Sequence, residues 1–371
     1  CSSDLLKMIY KCTSCHQKIN DPPVPVWLCP CGKPLEVHYE GEREVRPIEV
    51  DLKESSLWRY ESVLPQIKER VTLGEGKTPL ISVGNNTYVK DETVNPTGSF
   101  KDRGMALAVS MAKAQGVETI CLPSAGNAGI SAAAYCQKAG IQCNVFLPEI
   151  IPESFKKETD RYGANLVLKG QTISDAAKAM QEAKEPGWFD ISTLKEPFRV
   201  EGKKTLGYEI AEQMNWSLPD VIIYPTGGGT GLIGMWKAFK EMVGMGWILE
   251  PLPRLVAAQS DGCAPVVKAF QAMEKSTEFW ENSETVALGL NVPGPLGGRW
   301  ILETLSACNG IAVSAKESEL EMMTDEFRGE TGINVSAEGG VVWATYKALK
   351  KTGWIGSNDK TILFATGIER G

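Results

Sequence analysis

The sequence predicts an α/β fold of two open parallel-sheet lobes with helices on both faces, preceded by a small Cys-rich ribbon. Three observations carry this prediction. Short β-branched runs alternate with longer segments of helical period, which implies parallel sheets covered by helices. The helical segments stop at glycines such as Gly116 and Gly140, where a helix C-terminus favours a residue free to turn left-handed. The length of 371 residues exceeds what one core usually holds, so the body is expected to divide.

The ribbon is expected over residues 1–45, which carry Cys12-Thr13-Ser14-Cys15 and Cys29-Pro30-Cys31-Gly32. Cys12, Cys15, Cys29 and Cys31 could supply four thiolates for tetrahedral zinc. The Cys-x-Cys spacing is tighter than the usual Cys-x-x-Cys, and a scaffold kept without its ion is the alternative. His16 and His38 are expected at the surface. A linker with Trp58 and Tyr60 follows, and residues 46–371 form the main body, with a smaller lobe over about 105–200 and a larger lobe from the remainder.

Within the body, strands are expected at Thr119–Leu122, Asn144–Leu147, Leu166–Leu168, Val221–Tyr224 and Leu255–Gln259. Helices are expected at Arg103–Gln115, Ile130–Lys138, Ser174–Glu185, Leu206–Met214 and Leu232–Met242. In such folds ligands bind at the carboxyl ends of the strands, where loops lead into helix N-termini.

Composition narrows the function. A net charge of −7 with a pI near 5.3 lacks the basic footprint of a nucleic-acid or anionic-membrane binder. No run approaches the ~18 apolar residues of a membrane span, and Cys1-Ser2-Ser3-Asp4 does not begin a signal peptide. A cytoplasmic location is expected, or an organellar stroma or matrix after removal of a transit peptide, with reduced cysteines. Both histidines lie in the first forty residues, so the body cannot hold a Ser-His-Asp or Cys-His site. Proton transfer there must use lysine, carboxylates, tyrosine, cysteine or a cofactor.

Four segments carry chemistry. In Asn95-Pro96-Thr97-Gly98-Ser99-Phe100-Lys101-Asp102-Arg103-Gly104 a tight turn opens a helix near Lys101. An ammonium is unfavourable at the positive end of a helix, so the Lys101 amine should be held below its ordinary pKa, as a Schiff-base amine requires. A solvated first-turn lysine is the bland alternative. In Ser124-Ala125-Gly126-Asn127-Ala128-Gly129 small residues let the backbone approach a ligand, unpaired amides attract an anion, and Asn127 adds a side-chain amide. In Gly227-Gly228-Gly229-Thr230-Gly231 successive amides before a helix form a phosphate cradle. Gly229, Gly231 and Gly234 also match Gly-x-Gly-x-x-Gly, with Asp261 beyond the next strand, so a nicotinamide-dependent dehydrogenase competes locally. Thr366, at the end of the C-terminal strand Thr361–Gly367, offers a neutral partner to a pyridine nitrogen and favours elimination or replacement over transamination.

Together these segments resemble the threonine synthases among the fold-type II pyridoxal-phosphate enzymes, from about Trp58 to the C-terminus. The Cys-containing head resembles that of many bacterial and archaeal members. The resemblance implies that Lys101 carries pyridoxal phosphate as a Schiff base, beside Phe100. Asn127 would partner the ring's phenolic oxygen, Gly227, Gly228, Gly229, Thr230 and Gly231 its phosphate, and Thr366 its pyridine nitrogen. It implies substrate contacts from Ser99, Ser124, Ala125, Gly126 and Ala128, and from Ser192, Thr193 and Arg199 in the stretch 192–205, where Lys203 and Lys204 are expected on a solvated face.

The implied reaction converts O-phosphohomoserine and water to threonine and phosphate, with Lys101 moving the α- and β-protons. A homodimer is expected, with a small phosphorylated amino acid as the ligand and neither nucleic acid nor membrane as partner. Rivals on the same fold are a cysteate synthase using O-phosphoserine and sulfite, and a serine or threonine dehydratase; a non-catalytic scaffold is a third. The family pattern Thr-Gly-x-Gly-Leu-Lys reads here Thr366-Gly367-Ile368-Glu369-Arg370-Gly371, and Pro-Glu-Gly-Ala reads Ala337-Glu338-Gly339-Gly340. Either the chain is truncated after Gly371 or this member differs near the ring.

Overall fold

A computed structural model describes residues 7–20, 22–40 and 44–370; the start Cys1-Ser2-Ser3-Asp4 and the final Gly371 lie outside these. The head is a three-stranded antiparallel sheet of β1 (Met8–Cys12), β2 (Lys18–Ile19) and β3 (Leu35–Tyr39), in the order β2-β1-β3. Its strands alternate with period two. Tyr10, Cys12, Leu35, Val37 and Tyr39 turn inward and join the core of the body.

The body opens with an antiparallel hairpin, β4 (Leu80–Gly84) and β5 (Thr87–Asp91). Asn85 and Asn86, both at positive φ (50° and 58°), make the turn, as a two-residue hairpin requires. Helix α1 (Lys101–Ala114) leads into the smaller sheet, β6 (Thr119–Pro123), β7 (Gln142–Leu147), β8 (Asn165–Leu168) and β9 (Trp188–Asp190). These strands are all parallel in the order β8-β7-β6-β9, with α2 (Asn127–Ala139), α3 (Glu153–Arg161) and α4 (Ile173–Ala183) between them.

Helix α5 (Phe198–Gln213) returns the chain to the larger sheet, which is completed by β10 (Val221–Pro225), β11 (Arg254–Ser260), β12 (Ile311–Ala315) and β13 (Thr361–Ala365). Helices α6 (Thr230–Gly244), α7 (Pro265–Gln271), α8 (Gly298–Ala307), α9 (Leu320–Thr331) and α10 (Ala337–Lys351) cover it. Its order is β12-β11-β10-β13-β5-β4, parallel except for β4 at the edge. No helix of the described residues is long and apolar enough to cross a membrane.

The two open sheets match the expected fold class. Each expected strand is present, and the expected helices differ by a few residues at their ends, with one exception. Helix α5 begins at Phe198 and not at Leu206. Its first turns, Phe198-Arg199-Val200-Glu201-Gly202-Lys203-Lys204-Thr205, read as polar, yet every residue is buried. Glu201 pairs with Lys204 at 2.9 Å and with Lys237 at 2.5 Å, and Lys204 also reaches Glu241 at 3.1 Å. The expectation of a solvated face for Lys203 and Lys204 is therefore corrected: both are buried, Lys204 in charge pairs and Lys203 with its Nζ 4.9 Å from the Phe100 ring centroid.

A second buried network fixes the start of α1. Arg103 donates Nε and Nη2 to the two oxygens of Glu92, both at 2.7 Å, and Nη1 and Nη2 to those of Glu209, both at 2.9 Å. Lys90 Nζ donates to Glu209 at 2.5 Å and to the Thr78 carbonyl at 2.6 Å. Asn95 Nδ2 donates to Glu92 at 2.9 Å. Burial alone would push such carboxyls up in pKa. The cations reverse this and hold Glu92 and Glu209 below the ordinary carboxylate range. Arg103→Ala would leave two carboxylates buried against one lysine. The expected loss is about 3–5 kcal/mol of unfolding free energy, read from a lowered urea midpoint.

Candidate functional site

A cavity of about 350 Å³ opens at the carboxyl ends of both sheets. Among the segments that wall it are the start of α1, the loop from β6 into α2, the loop from β10 into α6, and the residues after β13.

The turn before α1 is held from three sides. Asp102 accepts the Thr97 amide at 2.7 Å, the Thr97 hydroxyl at 2.5 Å and the Ser131 hydroxyl at 2.6 Å. Gly98 sits at φ 73°, and a Cβ there would come within 2.7 Å of Ile368, so the close approach of the C-terminal residues requires glycine. Ser99 pairs with Gly367 and the Phe100 amide donates to the Thr366 carbonyl at 3.0 Å. These bonds set Lys101, the first residue of α1, beside Thr366 in the cavity wall. Its Nζ lies 4.5 Å from the Phe100 ring centroid. Desolvation, and then the Arg199 charge, bring the Lys101 amine down to about 8, against the opposing pull of Glu338.

In the second loop the Ser124 hydroxyl accepts the amides of Gly126 at 3.0 Å and Gly129 at 2.9 Å, which shapes the entry into α2. Ala125, Gly126, Asn127 and Ala128 line the cavity, as does Ser124. In the third, Gly227, Gly228, Gly229, Thr230 and Gly231 line it. The first amides of α6 have no intrahelical acceptor and the helix dipole is positive there, so the loop is suited to an anion. A Cβ on Gly231 would fall 2.1 Å from the Tyr224 hydroxyl, so only glycine lets the helix start this close to β10. Gly234, the last glycine of the dinucleotide-like match, instead packs α6 on α5, where a Cβ would meet the Lys203 carbonyl carbon at 3.0 Å.

Thr193 and Thr366 also line the cavity; Ser99, Ser192 and Arg199 do not reach its surface. The Ser192 hydroxyl donates to Asp190, and Arg199 Nη1 donates to the Ile191 carbonyl at 2.9 Å. Sequence reasoning missed Glu338, Phe155, Tyr224, Asn291 and Arg370, which line the same cavity. Glu338 accepts the Gly289 amide at 2.6 Å. The Ala337-Glu338-Gly339-Gly340 stretch was the signal that could have found it.

The lining fits a phosphorylated, aromatic, carbonyl-bearing cofactor. It offers a glycine-rich anion loop, an amine with a lowered pKa, a neutral hydroxyl and an amide. Among the described residues, the Tyr224 hydroxyl and Asn291 Oδ1 are buried at this cavity without a hydrogen-bond partner, which leaves polar capacity for a ligand. In the head, the sulfurs of Cys12, Cys15, Cys29 and Cys31 all lie within 4.8 Å of one another.

A family model described as pyridoxal-phosphate dependent enzyme matches residues 71–367. The threonine synthase of Methanocaldococcus jannaschii is 32% identical over 97% of this chain and 92% of its own length. That of Halalkalibacterium halodurans is 34% identical over 73% of this chain and 75% of its own. Among solved structures, a fungal L-serine ammonia-lyase from Rhizomucor miehei superposes with a TM-score of 0.70 at 18% identity, over 81% of this chain and 96% of that one. The processed form of threonine deaminase isoform 2 from Solanum lycopersicum superposes with a TM-score of 0.65 at 20% identity, over 88% and 92%. These structures share the fold. Likeness carried through both sheets and across most of the length makes this chain a member of the pyridoxal-phosphate dependent enzyme family, a lyase related to the threonine synthases.

Proposed function

We propose that this enzyme is a threonine synthase, converting O-phosphohomoserine and water to threonine and phosphate. The observation that carries the reading is the shared wall of Lys101, Asn127, the 227–231 loop and Thr366, in a chain aligned over 97% of its length with a threonine synthase. When bound, the cofactor supplies the electron sink for cleaving bonds at the amino acid's α-carbon.

The protein's residues do the rest. The Gly227–Gly231 amides bind the cofactor's phosphate, the Asn127 amide its phenolic oxygen and the Thr366 hydroxyl its ring nitrogen. Lys101 Nζ would be the attachment amine and, once freed, the base that takes protons from the substrate's α- and β-carbons and returns protons to the α-carbon and to the γ-carbon that phosphate leaves, while water adds its hydroxyl at the β-carbon and its remaining proton departs with phosphate. The Ser124–Ala128 loop binds the substrate's carboxylate through amides at the start of α2. Thr193, in the wall, would orient the substrate's phosphate, with Arg199 and Ser192 behind it. In the head, four thiolates hold zinc; tetrahedral bonds of about 2.3 Å bring sulfurs about 3.8 Å apart, and Cys12 and Cys31 sulfurs already lie 3.4 Å apart and those of Cys15 and Cys29 3.7 Å apart.

Three measurements test these assignments. Purified protein should absorb in the visible and release phosphate from O-phosphohomoserine, and Lys101→Ala should abolish both; release from O-phosphoserine alone, in the presence of sulfite, would move the assignment to β-replacement. Because the free amine is the nucleophile, the rate at which apoenzyme captures pyridoxal phosphate should rise with pH through about 8 and then level off. Elemental analysis should find about one zinc per chain, lost in Cys12→Ser/Cys15→Ser; a metal-free wild type would sink the zinc assignment.

A further inference from the structure

We propose that Arg370 is a positioning residue that decides which end of the Asn127 amide faces the cavity. The inference rests on the cofactor roles assigned above to Lys101 and Asn127. It arises where the sequence departs from the Thr-Gly-x-Gly-Leu-Lys pattern, at Glu369-Arg370.

Asn127 is the first residue of α2, and its Oδ1 accepts a hydrogen bond from Arg370 Nε at 3.2 Å. Arg370 Nη2 donates to the Thr97 carbonyl, and the guanidinium lies 5.9 Å from the Phe155 ring centroid. The segment that delivers it is tied down. The Ile368 amide donates to the Gly98 carbonyl at 2.9 Å, the Ser336 amide to the Gly367 carbonyl at 3.0 Å, and Arg328 Nη2 to the Glu369 carboxylate at 2.9 Å.

An asparagine amide is nearly symmetric in shape, so its neighbours choose its orientation. Guanidinium has five donors and no acceptor. Turning the amide over would set its NH2 group against a cationic donor, so only the oxygen can face Arg370. Nδ2 is thereby directed to the other side, toward Gly367, where a Cβ would lie 2.9 Å from it. Gly367 and Thr366 line the same cavity as Lys101. The donor end of Asn127 is thus presented to the part of the wall that carries Thr366 and Gly367, where it would meet the cofactor's phenolic oxygen under the role assigned above. A donor on that oxygen stabilises its ionised form and weakens its hold on the neighbouring imine proton, which lowers the pH at which the visible band titrates.

The test is a spectrophotometric pH titration of holoenzymes, with pyridoxal-phosphate affinity measured by fluorescence titration of the apoenzymes. Arg370→Ala should raise the titration midpoint by roughly one pH unit, the scale of one hydrogen bond to a charged group, and weaken cofactor binding about tenfold. Arg370→Gln keeps an N–H donor for Oδ1 and should restore most of both. Asn127→Ala should raise the midpoint similarly, and adding Arg370→Ala to it should change nothing further. Arg370→Leu replaces Arg370→Ala if that protein does not fold. An unmoved midpoint overturns the proposal. So does an equal shift in the alanine and glutamine variants that persists without Asn127, since the charge would then act directly. A wild type with no visible band fails the cofactor assignment itself, which separates that outcome from the others.

Discussion

The site depends on a guanidinium that never touches it. Arg103 binds two carboxylates, both in bidentate fashion, inside a core with no solvent access. Glu92 follows β5, Glu209 belongs to α5, and Arg103 sits two residues beyond Lys101 on α1. One cation thus couples the larger sheet, the returning helix and the helix that presents the reactive amine. Charges in such surroundings are costly to separate, because each would be left desolvated and unmatched. The turn of residues 95–100 therefore has little freedom, although it is loop by secondary structure.

Helix α1 also explains how two sheets make one cavity. It packs on α2, which follows β6 of the smaller sheet, and on α5, which leads into the larger one, with Met105, Leu107 and Val109 wholly buried. Its first residue consequently stands at the seam, where the β6 loop arrives from one side and the β10 loop and the end of β13 from the other. Residues that meet in the wall come from positions 100 to 370, and the parallel topology brings the β6, β10 and β13 loops together because each leaves the same end of its strand, while the 286–292 and 336–338 stretches reach the wall from between helices.

Much of this was legible in the sequence, for a physical reason. Strands β6, β7, β10 and β11 are apolar runs closed by turn residues, and such runs leave little choice of conformation. The glycine loop and the Lys101 turn were equally legible, since both need particular residues in a fixed local order. What was not legible depended on partners distant in the chain. The start of α5 was hidden because Arg199, Glu201, Lys203 and Lys204 look like a surface. Pairing with Lys237 and Glu241 on α6, and with Tyr39 of the head, makes Glu201 and Lys204 interior. Ser192 and Arg199 were grouped with the site by resemblance, but they lie behind its wall. Arg370 carries no local motif and Glu338 only the signal of the 337–340 stretch, and the fold brings them beside Asn127 and Lys101.

The head is joined to the body through Tyr39, whose hydroxyl donates to Glu201 at 2.6 Å, while its ring faces Lys204 and Lys237 at 4.5 and 5.3 Å. Tyr10 meets Phe198 edge-on, with ring centroids 6.3 Å apart. These contacts fall on the first turns of α5, the same turns that bear Arg199. The ribbon therefore acts as the outer half of a clamp on that helix. Its loss would open a charged interior to water, and the helix would need a new set of neighbours at once. A segment that looks appended in sequence is thereby part of the shell that keeps the charges of α5 out of water.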